Sequence, residues 1–157
     1  MDQLEKVFKG LNIEGSINYI LADYDLFFAN QNSFARFSLD EEDIPLLKKT
    51  ISYIKKNDDL LKVFVCIYRD ELTDNNNKKF IYADSLWILT NLEIHKLSNL
   101  FHDLSPDISP SSISAYESVE ELINSGIKLI SGNENTVCFL NEYSNECLKN
   151  LKIIYWD

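Results

Sequence analysis

The stretch IYADSLWILTNLEIHKLSNLF, residues 81–101, passes from a run rich in β-branched and aromatic residues into one with helical spacing. Its first half completes KFIYADSLWILT (79–90), and VFVCIY (63–68) lies upstream across a polar connection, RDELTDNNNK, with its tip at NNNKK (75–79). That pattern predicts two antiparallel strands joined by a long hairpin loop. VFVCIY is nearly all apolar, which predicts a central strand covered on both faces. KFIYADSLWILT alternates less cleanly, and a bulge is expected near Ala83 to Ser85. Without a bulge, Tyr82, Asp84, Leu86, Ile88 and Thr90 share one face, and Ala83, Ser85, Trp87 and Leu89 share the other. Trp87 then reads as a core-facing anchor between sheet and helix, with Asp84 beside Tyr82 near the sheet rim.

Outward from this unit, four segments carry helix signals. Residues 91–104 present Ile94, Leu97, Phe101 and Leu104 as one stripe, with Thr90 and Glu93 at capping-box spacing and Pro106 as a stop. Residues 40–56 open with DEED, acids suited to the positive end of a helix, and Pro45 is tolerable there only in the first turn. Residues 119–125 have Ser118 and Glu121 at capping-box spacing and Gly126 at the C-terminal position, and 1–10 is amphipathic through Leu4, Val7 and Phe8. Further strands are expected at 17–22, 33–39, 127–131, 135–141 and 151–156, although INYILADYDLFF also suits a helix edge. Strands outnumber helices and follow one another through short polar loops. The expected fold is therefore a single α+β domain, a mostly antiparallel sheet with three to four helices packed on it. A doubly wound, three-layer α/β sheet is the alternative.

At 157 residues the chain is long enough to bury roughly 70% of its unfolded surface, and 45% hydrophobic residues with four Gly and three Pro describe one ordinary core. Charge is the unusual term: 25 acids against 15 bases give −10. Residues 1–83 hold 14 acids and 11 bases, whereas 84–157 hold 11 acids and only Lys96, Lys128, Lys149 and Lys152. Such a field repels phosphate backbones, so direct nucleic-acid binding is disfavoured, while encounter with a basic partner is accelerated. Cys66, Cys138 and Cys147 are odd in number without C-x-x-C spacing, which argues against a disulfide framework and suits a reducing compartment. MDQLEKVFKGLNIEG lacks the apolar core of a signal peptide, and no run approaches the ~20 apolar residues of a membrane span. A cytoplasmic protein without membrane contact is the expectation.

Catalytic motifs are sparse. His95 and His102 align on the 91–104 helix but lie roughly 10 Å apart along its axis, too far to share a metal. G-x-S-x-G, G-x-G-x-x-G and G-x-x-x-x-G-K are all missing, and the cysteines lie in or beside apolar runs where a thiol is inert. No cofactor or metal is expected. Paired carboxylates are the remaining raw material, with Asp23 and Asp25 placed to share a strand face. A small carboxylate-based hydrolase is therefore an alternative function, and a cytosolic adaptor or regulatory domain is another.

Recognition is the preferred reading. Residues 102–126 contain no Lys or Arg and carry Asp103, Asp107, Tyr116, Glu117, Glu120 and Glu121, a set suited with Asp84 to attract and anchor a basic protein surface. In size, acidity and class the chain resembles immunity proteins of bacterial polymorphic toxin systems, including those of contact-dependent growth inhibition. The acidic, Tyr-bearing 102–121 region and YADSLWILTNLEIHKL carry the likeness, and no family motif transfers residue by residue. The resemblance implies a non-catalytic cytoplasmic protein that neutralises a cognate toxin domain, often a nuclease, by covering its basic cleft with an acidic face.

Overall fold

Val63, Val65 and Ile67 alternate with Phe64 and Cys66, and this strand takes the centre of an eight-stranded sheet in a computed structural model. The structure describes residues 3–10, 19–30, 33–58, 62–109, 127–130 (backbone only) and 151–156. Among the described residues there are eight strands: β1 Tyr19–Asp23, β2 Ala35–Phe37, β3 Lys62–Ile67, β4 Leu72–Thr73, β5 Lys79–Leu89, β6 Asp107–Ser109, β7 Ile127–Ile130 and β8 Leu151–Tyr155. Helices are α1 Gln3–Lys9, α2 Tyr24–Ala29, α3 Ile44–Asn57 and α4 Ile94–Leu100, followed by a 3₁₀ turn at His102–Leu104. The expected strand 135–141 and helix 119–125 lie outside the described residues.

Strand order is β6-β8-β5-β3-β1-β7, with β2 and β4 also paired to the long β5. Five pairings are antiparallel, while β1–β7 and β2–β5 are parallel. The fold is α+β with a mostly antiparallel sheet. β3 and β5 form the expected hairpin, and its connection contains an extra short strand, β4, whose Leu72 pairs with Phe80.

The bulge falls where the alternation fails. Ile67 pairs with Ala83 but Cys66 pairs with Ser85, so Asp84 is an extra residue on β5. One inserted residue reverses every side chain after it. Ile81, Ala83, Leu86 and Ile88 consequently share one core with Leu4 and Phe8 of α1, Phe27 and Phe28 of α2, Leu47, Ile51 and Ile54 of α3, and Leu97 of α4. All four helices thus pack on one face of the sheet. Trp87 is buried at 2% exposure, but on the other face, where it pairs across the strands with Phe64 and Ile153. Its expected role as a sheet-to-helix anchor passes to Leu86 and Ile88.

Local signals fare unevenly. Pro45 sits in the first turn of α3, as its missing N–H requires. The acids of DEED do not enter the helix: they form the turn before it, with the Asp43 N–H donating to the Asp40 carbonyl at 2.9 Å. The expected Thr90–Glu93 capping box is also replaced. The Thr90 hydroxyl donates to Asp58 at 2.5 Å, Asp58 also accepts from the Asn91 N–H at 3.2 Å, and the Thr90 hydroxyl oxygen accepts from the Leu92 N–H at 3.2 Å. Glu93 becomes the N-cap without a side-chain capping bond, its carboxylate lying 3.2 Å from His95 Nδ1.

Candidate functional site

Trp156 follows β8 and holds three segments together. Its backbone N–H donates to the Asp84 carbonyl at 2.8 Å, its carbonyl accepts from the Ser38 hydroxyl at 3.2 Å, and its indole N–H donates to the Leu104 carbonyl at 3.0 Å. Its ring lies 5.6 Å from Phe37 and 6.1 Å from Phe101, centroid to centroid. Every polar group of a buried tryptophan is thereby bonded, which fixes the ends of β2, β8 and the 3₁₀ turn against the bulge.

A cleft of about 350 Å³ opens over this junction. Asp40 and Asp43 enter it from the turn before α3, Asp107 from β6, and Tyr155 and Trp156 form its aromatic side. Ser38, Leu39, Leu104 and Ser105 complete the described lining, which contains no Lys or Arg. Asp40 and Asp107 are exposed and Asp43 is half-buried. Three carboxylates beside aromatic residues can accept the N–H groups of a cationic side chain.

On the far side of the bulge, Phe80, Tyr82 and Asp84 alternate with core residues and so point away from the helices. Tyr68 joins them from the end of β3, its N–H bonded to the Tyr82 carbonyl at 2.9 Å and its ring 5.4 Å from that of Tyr82. The Tyr68 hydroxyl donates to the Asp84 carboxylate, which together with partial burial pushes its pKa up to about 12. Tyr68, beside Asp84, is 48% exposed, and Leu72, paired with Phe80 further along β5, is 43% exposed. Large exposed side chains held rigid by neighbours are the usual anchors of protein interfaces.

Of the sequence-predicted partner-binding residues, Asp107 lines the cleft and Asp84 lies at the bulge beside it, linked through Trp156. Asp103 is exposed in the 3₁₀ turn whose Leu104 carbonyl anchors that tryptophan. Tyr116, Glu117, Glu120 and Glu121 lie outside the described residues. Asp40, Asp43, Tyr155 and Tyr68 were missed as site residues; DEED read as a helix-start signal, and no local pattern brings it to Asp107.

The carboxylate pair of the alternative enzyme reading is separated. Asp23 ends β1, whereas Asp25 lies in the first turn of α2 with its side chain 87% exposed, 3.9 Å from Lys55. They do not share a strand face. Burial pushes the Cys66 thiol up to about 12, keeping it protonated. His95 and His102 are both exposed. Among the described residues no group of three or more His, Cys, Asp or Glu is placed to hold a metal ion, and no helix is long and apolar enough to cross a membrane.

No protein-family model matches the chain, and neither a curated protein nor a solved structure shows significant similarity to it.

Proposed function

We propose that the protein is a binding module for a basic protein, and that its specific role is that of an immunity protein neutralising a cognate toxin domain. One observation carries this reading: Asp40, Asp43 and Asp107, from segments more than sixty residues apart, converge on a cleft whose described lining lacks any cation. A Lys or Arg of the partner enters that cleft, while Tyr68 and Tyr82 beside Asp84 supply low-entropy contact area. The net charge of −10 steers the encounter. Against a nuclease, an acidic face seated in the basic cleft occupies the place of the phosphate backbone, so inhibition needs no chemistry by this chain.

The test is co-expression. The reading frames adjacent to this gene are expressed with and without the chain, and growth is followed. A neighbouring product that arrests growth is expected to be neutralised by the wild-type protein and not by the Asp40→Asn/Asp43→Asn/Asp107→Asn variant. Full protection by that variant, or a toxic neighbour against which the wild type gives none, would sink the proposal.

A further inference from the structure

A second cavity has the opposite sign to the chain. A groove of about 620 Å³ runs between the end of α1, the start of β2 and the β4–β5 hairpin, and Lys9, Arg36, Lys78 and Lys79 line it. Two carboxylates, Glu5 and Asp74, share the lining, and both are already engaged. Glu5 accepts from Lys9 at 3.0 Å and holds its ammonium protonated, with Glu71 adding to the effect. Asp74 accepts from Arg36 at 2.7 Å and from the backbone N–H groups of Asn76 and Lys78 at 2.8 and 3.0 Å, which keeps it below the ordinary carboxylate range.

The cations are presented rather than merely present. The Arg36 guanidinium carbon lies 4.0 Å over the Phe80 ring, and its one hydrogen bond to Asp74 uses Nη2. Stacking fixes the plane of the fork and leaves its remaining donors for a ligand. Asn77 adopts the left-handed conformation at φ 61°, closing the hairpin tip so that Lys78 and Lys79 follow it at once. Neither lysine is ion-paired among the described residues. Asn76, Asn77 and Ser33 add neutral donors to the same walls.

We propose that this groove binds a small molecule bearing phosphate groups. Its size fits a compact ligand, since binding pockets of small molecules span roughly 300–1,000 Å³. A nucleic-acid strand would extend beyond it into the field of a chain at −10. Tetrahedral phosphate oxygens match a stacked Arg fork together with the ammonium groups of Lys78 and Lys79 in the same lining. This inference is independent of the acidic cleft, which lies at the other end of β2.

The experiment is a titration of the full chain with pyrophosphate at low salt, followed by backbone amide NMR. Saturable shifts confined to the walls of the groove, residues 5–9, 33–36 and 74–79, are expected, with affinity falling at least about tenfold in the Lys78→Ala/Lys79→Ala variant. Both lysines are exposed hairpin residues, so the variant keeps the fold, which its unperturbed core amides verify. No saturable shifts up to millimolar pyrophosphate, or equal affinity in the variant, would overturn the proposal. So would an Asp/Glu-rich peptide that shifts the same amides when pyrophosphate does not, because the groove would then be a protein-binding site.

Discussion

The Tyr68 hydroxyl donates to the carboxylate of Asp84, the extra residue of the β5 bulge, so an exposed aromatic ring is tied to the point where the strand changes face. That bond favours the protonated phenol, and the Tyr68 pKa rises to about 12 from the 10.0 of a free side chain. A raised folded-state pKa contributes stability that is fully present below pH 10 and is lost as pH climbs towards 12. Ring-carbon NMR of tyrosine-labelled protein, assigned with Tyr68→Phe, is expected to show Tyr68 titrating near 12. In Asp84→Asn it should return towards 10. Titration near 10 in both proteins would refute the bond's role.

The bulge itself sets which side chains meet the helices. Deleting Asp84 removes the extra residue, so Ala83, Ser85, Leu86 and Trp87 alternate in their existing register, with Leu86 and Ile88 still facing the helices and Trp87 the other face. Urea unfolding of the deletion is expected to stay cooperative but at lower denaturant, because the carboxylate bonded by Tyr68 and the carbonyl that accepts from the Trp156 N–H are both lost. Asp84→Ala keeps the residue count and removes only the bond from Tyr68, at a cost of about 1 kcal/mol. Loss of the cooperative transition in the deletion would mean that the pairing on either side of the bulge is not one continuous register.

Trp156 makes a sharper test of the junction beneath the acidic cleft. Trp156→Phe keeps an aromatic ring between Phe37 and Phe101 but strands the Leu104 carbonyl, whose donor at 3.0 Å is lost. An unpaired buried acceptor costs roughly 1–3 kcal/mol, so chemical denaturation should show a loss in that range. Trp156→Ala should exceed it, towards about 3–5 kcal/mol.

Thr90 is buried at 2% exposure, and its hydroxyl links the end of β5 to Asp58 after α3. Thr90→Val keeps the shape and removes the donor to a carboxylate, which is expected to cost about 1.5–3 kcal/mol in thermal or urea unfolding. Thr90→Ser should recover most of that loss. If Val and Ser behave alike, the bond contributes nothing and packing alone matters at this position.

Much of this architecture was legible because it is written locally. The apolar run of β3, Pro45 at the start of α3 and the broken alternation around Asp84 each state their element in a few neighbouring residues. Short elements were not legible. The α2 sequence YDLFFA is rich in β-formers, and only the end of β1 at Asp23 turns it into six helical residues. β4 and β6, of two and three residues, have no periodicity to read and exist because β5 and β8 offer them edges. The site suffered most. Asp107 was singled out from an acid-rich segment, but its companions Asp40 and Asp43 reach it only through tertiary contacts organised by Trp156. Likewise, Thr90 and Glu93 had the spacing of a cap, yet a distant carboxylate, Asp58, took the role.

Calorimetry of the chain against a basic domain that it neutralises in the co-expression test, at about 50 mM and about 300 mM salt, is the most direct test of the proposed recognition by charge. The wild-type complex is expected to weaken at least about tenfold as salt rises, and the Asp40→Asn/Asp43→Asn/Asp107→Asn variant to bind weakly with a flatter salt response. Wild type and variant binding equally tightly at both salt concentrations would show that the acidic cleft is not where the partner is held.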